Sequence, residues 1–227
     1  MMLVAAFLFG SRARCDHKAS SDIDILIVTK ESSHDHANFG NLSITIISHS
    51  DLEVQAKRGD LFVWHIVAEA TPLYDPNDYL PDLRSKFILR SDYDDVVSHA
   101  SELAWYLIRF GKRLGDERLA NRRVAWCIRT ILIARSAERG LPAFSASALA
   151  AFAGDAEIAS VINRKGDRWL ARETLEGLKY FIEKFGRPEP LPWPCPESKY
   201  IAMFVDHGNK VALGTLRSAR GNLILYE

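Results

Sequence analysis

The stretch from Leu8 to Val28, LFGSRARCDHKASSDIDILIV, places two acids at alternate positions ahead of a run as apolar as ILIV. Side chains alternate across a strand with period 2. Asp22, Asp24, Leu26 and Val28 therefore fall on one face, and Ile23, Ile25 and Ile27 on the other. Two carboxylates so placed stand roughly 6.5–7 Å apart at Cα. Desolvated anions at that distance repel unless a cation lies between them. A hard divalent ion with oxygen ligands answers that need: Mg²⁺, or Mn²⁺ in its place. Such an ion usually keeps waters and binds the phosphates of a substrate.

The other half of the stretch supplies a place for those phosphates. Val4 to Phe9 reads as a short buried strand closed by Gly10. Backbone N–H groups in a turn at a strand end form a concave anion site, and glycine lets a phosphate approach closely. The Ser11 hydroxyl is a further donor. The ten residues between Ser11 and Asp22 let the chain turn and return as a second strand, Asp22 to Thr29, with its acids beside Gly10-Ser11. Gly-Ser alone or Asp-x-Asp alone would mean little. Together, at this spacing and between apolar strands, they point to nucleoside triphosphate chemistry.

This stretch resembles the signature of the nucleotidyltransferase superfamily that includes DNA polymerase beta. It is most similar to the small bacterial minimal nucleotidyltransferases and the kanamycin-nucleotidyltransferase-like proteins. The resemblance is strong over about Leu3 to Thr29 and extends more weakly to about Pro76. It implies metal-dependent transfer of a nucleoside monophosphate from a nucleoside triphosphate, ATP foremost, to an acceptor hydroxyl or phosphate, with release of pyrophosphate. Gly10 and Ser11 would hold the phosphates, and Asp22 and Asp24 would hold the metal and carry catalysis. Arg12, and less so Arg14, read from the sequence either as bidentate phosphate clamps or as solvated loop residues. The acceptor, an RNA or a protein among the options, is open, as is a homo-oligomeric state. A second expectation stands beside the first: a degenerate member that binds nucleotide or protein without turnover, as in a toxin–antitoxin or defence pair.

Two departures from the family pattern matter. Members use a third carboxylate on a neighbouring strand, because two-metal catalysis serves both the attacking and the leaving oxygen. The strand expected there, Leu42 to Ser48 (LSITIIS), has no acid; Ser43 or Thr45 takes the position. Glu31, Asp51 and Glu53 lie in the flanking segments and are the alternatives. Cys15 stands where relatives usually have glycine, which predicts a loop with no positive φ at that position, or a start and loop that differ slightly from theirs.

The remainder of the chain reads mostly as helix. Residues 31–41 read as a loop, 51–58 as helical, and Asp60 as the N-cap of a helix reaching about Ala70. Apolar positions at helical spacing follow over 91–114, 118–140, 145–154, 155–166 and 167–186. Five prolines, at 188, 190, 192, 194 and 196, make a stiff connector, and the tail beyond it holds one helix. The fold class expected is thus α+β. A nucleotidyltransferase domain with a small mixed β-sheet spans 1–85, a C-terminal helical bundle 90–187, and a connector and tail 188–227. On the helix over 118–140, Arg122 and Arg129 share a face, which reads foremost as a solvated face partnered by Glu138 and Asp116 and otherwise as a site for a triphosphate or an RNA. Trp64 and His65 read as core or interface residues on an apolar helix. Arg90 and His99 are too far apart for the Arg-x(4–6)-His ribonuclease motif of some minimal-nucleotidyltransferase partners.

Composition narrows the rest. With 29 basic and 29 acidic residues no global charge favours a nucleic-acid coat or a membrane surface. Cys15, Cys127 and Cys195 lack metal-ligand or disulfide spacing, which points to reduced thiols in a cytoplasmic protein. No apolar run reaches membrane-spanning length. The apolar start, MMLVAAFLFG, lacks a basic leader region and reads as the first strand.

Overall fold

A computed structural model describes residues 2–19, 21–31 and 34–224. The chain divides into two compact units, Met1–Ser91 with Ala137–Ser145, and Asp92–Ser136 with Ala146–Glu227.

The first unit is a five-stranded mixed sheet with helices on one face. The strands are β1 (Leu3–Phe9), β2 (Ile23–Thr29), β3 (His34–Phe39), β4 (Leu42–Ser48) and β5 (Thr71–Tyr74), in the order β3-β4-β2-β1-β5. β2 runs antiparallel to β1 and parallel to β4. Helices α1 (His49–Lys57), α2 (Leu61–Glu69) and α3 (Tyr79–Lys86) complete the unit. The covered face carries Phe7, Leu26, Val28 and Ile47, all fully buried, against Leu52 of α1, Val63 and Ile66 of α2 and Leu83 of α3. Each such side chain contributes about 1.5–3 kcal/mol on leaving water. Asp24 lies on this same face, next along β2 from Leu26. On the opposite face Ile23, Ile25 and Ile27 are only half-buried.

Two features of this unit differ from the expectation. The polar segment HDHANF is not a loop but strand β3, antiparallel to β4. Its register is closed by Gly40 at φ 64°, and backbone pairing with β4 outweighs its poor strand propensity. Helix α3 is the second difference; Asp75 caps its start, accepting from the amides of Tyr79 and Leu80 at 2.7 and 3.0 Å. The Asp60 cap is present, with Oδ1 accepting from Phe62 N at 2.8 Å.

The second unit is helical: α4 (Asp94–Phe110), α5 (Glu117–Ala137), α6 (Ala146–Ala153), α7 (Glu157–Asn163), α8 (Arg172–Phe185), α9 (Glu197–Asp206) and α10 (Lys210–Ile224). Val97, Ala100, Leu103, Ala104 and Leu107 make a fully buried stripe along α4, and Leu178, Phe181 and Ile182 a matching one on α8. Tyr93, Trp105 and Tyr106 are core residues, in keeping with their helical spacing. The tail forms two helices rather than one, because Gly208 at φ 64° and the Asn209 side chain, which accepts from Ala212 N at 3.1 Å, end one and start the next. Among the described residues no helix is long and apolar enough to cross a membrane.

Candidate active site

The site is built where β1 ends. Phe9 pairs with Asp24 across the β1–β2 ladder, so the residue after Phe9 lies beside the Asp24 carboxylate. That residue is Gly10, at φ 75°, a left-handed conformation open to glycine at no steric cost. A Cβ at this position would stand 2.5 Å from Asp24 Oδ2. Gly10 is therefore required twice, by its backbone and by the acid that fills the space of a side chain.

From Gly10 the chain enters a tight turn. Arg14 N donates to Gly10 O at 3.2 Å, Cys15 N to Arg12 O at 3.3 Å and Asp16 N to Ser11 O at 3.1 Å. The amides of Ser11, Arg12 and Ala13 make no backbone hydrogen bond among the described residues. The turn exits through Cys15 at φ 61°. The left-handed backbone is thus present at Cys15, contrary to the expectation of no positive φ there. An exposed thiol sits at a strained position.

Of the expected site residues, Asp24 is half-buried in β2, and Asp22 is exposed one residue before the strand begins. Ser11 is half-buried in the turn. Arg12 Nη2 donates to Ser21 O at 3.1 Å, which ties the two ends of the loop together, and Arg12 Nε is buried without a partner.

The register fixes what stands next to Asp24 on the other side. Asp24 pairs with Ser43, and Ser43 with Asn38. The row across the sheet is an acid followed by two neutral polar residues. Glu31 and Asp51 sit at the other end of β2, about 16 Å away by the strand rise. Glu31 accepts from Met2 N at 2.6 Å. Asp51 accepts from Ser48 Oγ at 2.6 Å, and Ser48 pairs with Thr29. Glu53 holds Lys86 at 2.9 Å.

A different acid reaches the Gly10 turn. Glu69, in the last turn of α2 with its side chain 8% exposed, accepts the Gly10 amide at 2.9 Å. Arg14 Nη1 donates to both of its oxygens, at 2.7 and 2.8 Å. His65 Nε2, one helical turn earlier, lies against the same Oε1 and 3.3 Å from Arg14 Nη1. The His65 ring stacks on Phe144 at 4.5 Å and meets Phe9 edge-on at 5.7 Å. Arg14 Nε is bonded in turn to Asp16 at 3.1 Å. Burial alone would lower the Arg14 pKa, but the bonds to Glu69 and Asp16 outweigh it and the guanidinium is held above its usual value. Charge-assisted bonds of this kind contribute about 1.5–3 kcal/mol each.

His65 and Glu69 escape sequence reasoning as site residues, although a signal is present. An acid in the last turn opposes the helix dipole, and α2 has no base in that turn. A carboxylate so placed, four residues after a histidine in an apolar helix, calls for donors from elsewhere.

Residues 2–79 match the family model of the polymerase beta nucleotidyltransferases. A nucleotidyltransferase-like protein from Exiguobacterium sibiricum 255-15 is similar at 17% identity, over 95% of this chain and 83% of that chain, with a TM-score of 0.35. No curated protein matches the chain.

Proposed function

Taking residues 2–79 as a nucleotidyltransferase-like domain, we propose that the Gly10–Asp24 corner binds a nucleoside triphosphate with a divalent cation and transfers its nucleoside monophosphate to an acceptor. The observation that carries this reading is the interlock of Gly10 with Asp24, in which the acid fills the space a Cβ would take. It sets a metal-binding carboxylate against a turn with open amides, and the two serve one ligand. Asp22 and Asp24 suit a single Mg²⁺ that keeps several waters, since one exposed and one half-buried carboxylate leave most of its shell to water and phosphate. The bound ion would supply charge neutralisation to the triphosphate. Ser11 Oγ, the Ser11–Ala13 amides and the unclaimed Arg14 Nη2 are the phosphate donors, and Arg12 keeps the loop closed around them. Their contribution is positioning and electrostatic stabilisation of the transferring group.

The Asp24–Ser43–Asn38 row favours a second reading. A neutral hydroxyl beside Asp24 is no general base and a weak metal ligand, which suits a module that binds nucleotide without turnover. Both readings are tested with nucleoside triphosphates labelled at the α-phosphate, Mg²⁺ or Mn²⁺, and cell extract as acceptor source, with calorimetry in parallel. Transfer of label that Asp24→Asn abolishes supports the enzyme. Binding without label transfer supports the module. No binding by the wild type overturns both.

A further inference from the structure

The Glu69 cluster bears on how the site holds phosphate, an inference that rests on nucleotide binding at the Gly10–Asp24 corner. Glu69 joins two parts of the turn that the sequence separates: the Gly10 amide and the Arg14 guanidinium share its Oε1. Gly10 N, Arg14 Nη1 and His65 Nε2 crowd its Oε1, and Arg14 Nη1 also donates to Oε2. Arg14 is fixed at Nη1 by Glu69 and at Nε by Asp16, while Nη2 has no hydrogen-bond partner among the described residues. A free arginine side chain loses rotamer entropy when a ligand immobilises it. Here that loss is met on folding, before any ligand arrives.

We propose that Glu69 is a positioning residue: it clamps Arg14 to the Gly10 turn so that Nη2 is presented, preorganised, to a phosphate of the bound triphosphate. His65, wedged between Phe9 and Phe144, fixes the Glu69 rotamer in turn. The clamp acts on the phosphate chain and not on the base or the metal.

The test is a double-mutant cycle of Glu69 and Arg14, read as affinity for Mg²⁺–ATP and for inorganic tripolyphosphate. Glu69→Ala is expected to weaken both ligands tenfold or more and by the same factor, with Glu69→Gln in between because its amide keeps one acceptor. Arg14→Ala should cost as much as Glu69→Ala, and the double variant no more than either, since coupled residues are non-additive. Additive losses, unchanged binding, or tighter binding on removing Glu69 would overturn the proposal; the last would make Glu69 a competitor for Arg14. Nuclear magnetic resonance of the Arg14 Nε–H gives a ligand-free readout. It should be immobile in the wild type and mobile in Glu69→Gln, and a mobile signal in the wild type sinks the idea. A wild type that binds neither ligand while Arg14 is immobile refutes the nucleotide reading and the phosphate role together, leaving only a structural clamp.

Discussion

Two backbone conformations decide the turn. Gly10 cannot be replaced without moving Asp24. Cys15 is a non-glycine residue at φ 61°, and the left-handed region costs such a residue about 1–2 kcal/mol. Cys15→Gly should therefore raise stability by about 1 kcal/mol, and Cys15→Val, with its branched Cβ, should lower it. Urea unfolding measures both, and a destabilised glycine variant would show that the thiol makes a compensating contact. The same turn shows how far residue identity can be read. The Gly-Ser and Asp-x-Asp pairs point to one corner from their spacing, and the β1–β2 register brings Gly10 and Asp24 together there. The conformation at Cys15 goes against its residue type, because a cysteine in a glycine position can mean either a changed backbone or a tolerated strain.

Among the elements, α2 carries the site's less visible half. Its start is legible, since Asp60 precedes an apolar run, and the cap bond is made. Its far end is not, because Glu69 and His65 gain meaning only when Gly10 and Arg14 are brought to them. Asp60→Ala is expected to cost about 1 kcal/mol of stability, as loss of an N-cap does, with Asp60→Ser retaining most of it; thermal unfolding checks the order. Strand β3 shows the converse. HDHANF has no strand pattern, and it pairs because the Gly40 turn returns it alongside β4, whose own sequence is strongly β-forming.

Across the molecule, the proposed ligand chemistry belongs to the first unit. Hydrogen exchange with and without Mg²⁺–ATP is expected to slow in peptides covering residues 8–30 and in the end of α2, and Asp24→Asn should remove the effect. Unchanged exchange in residues 8–30 at saturating ATP would place the nucleotide elsewhere. The helical unit is legible as helices from apolar spacing alone, since each needs only its own 3.6-residue period.

The local pieces are written in short stretches of the chain: two apolar strands, a turn at Gly10-Ser11, two acids at alternate positions, a capped helix and a run of amphipathic ones. These depend on residues close along the chain, through strand alternation, helical periodicity and capping. Which pieces meet is settled at long range. Strand register sets Ser43, not an acid, beside Asp24 and carries Glu31 and Asp51 to the other end of the sheet. Packing of α2 over β1 brings Glu69 to the Gly10 amide and Arg14, 59 and 55 residues away along the chain. Pairing and packing at such separations are fixed by the summed burial of the whole sheet face, which no short stretch encodes.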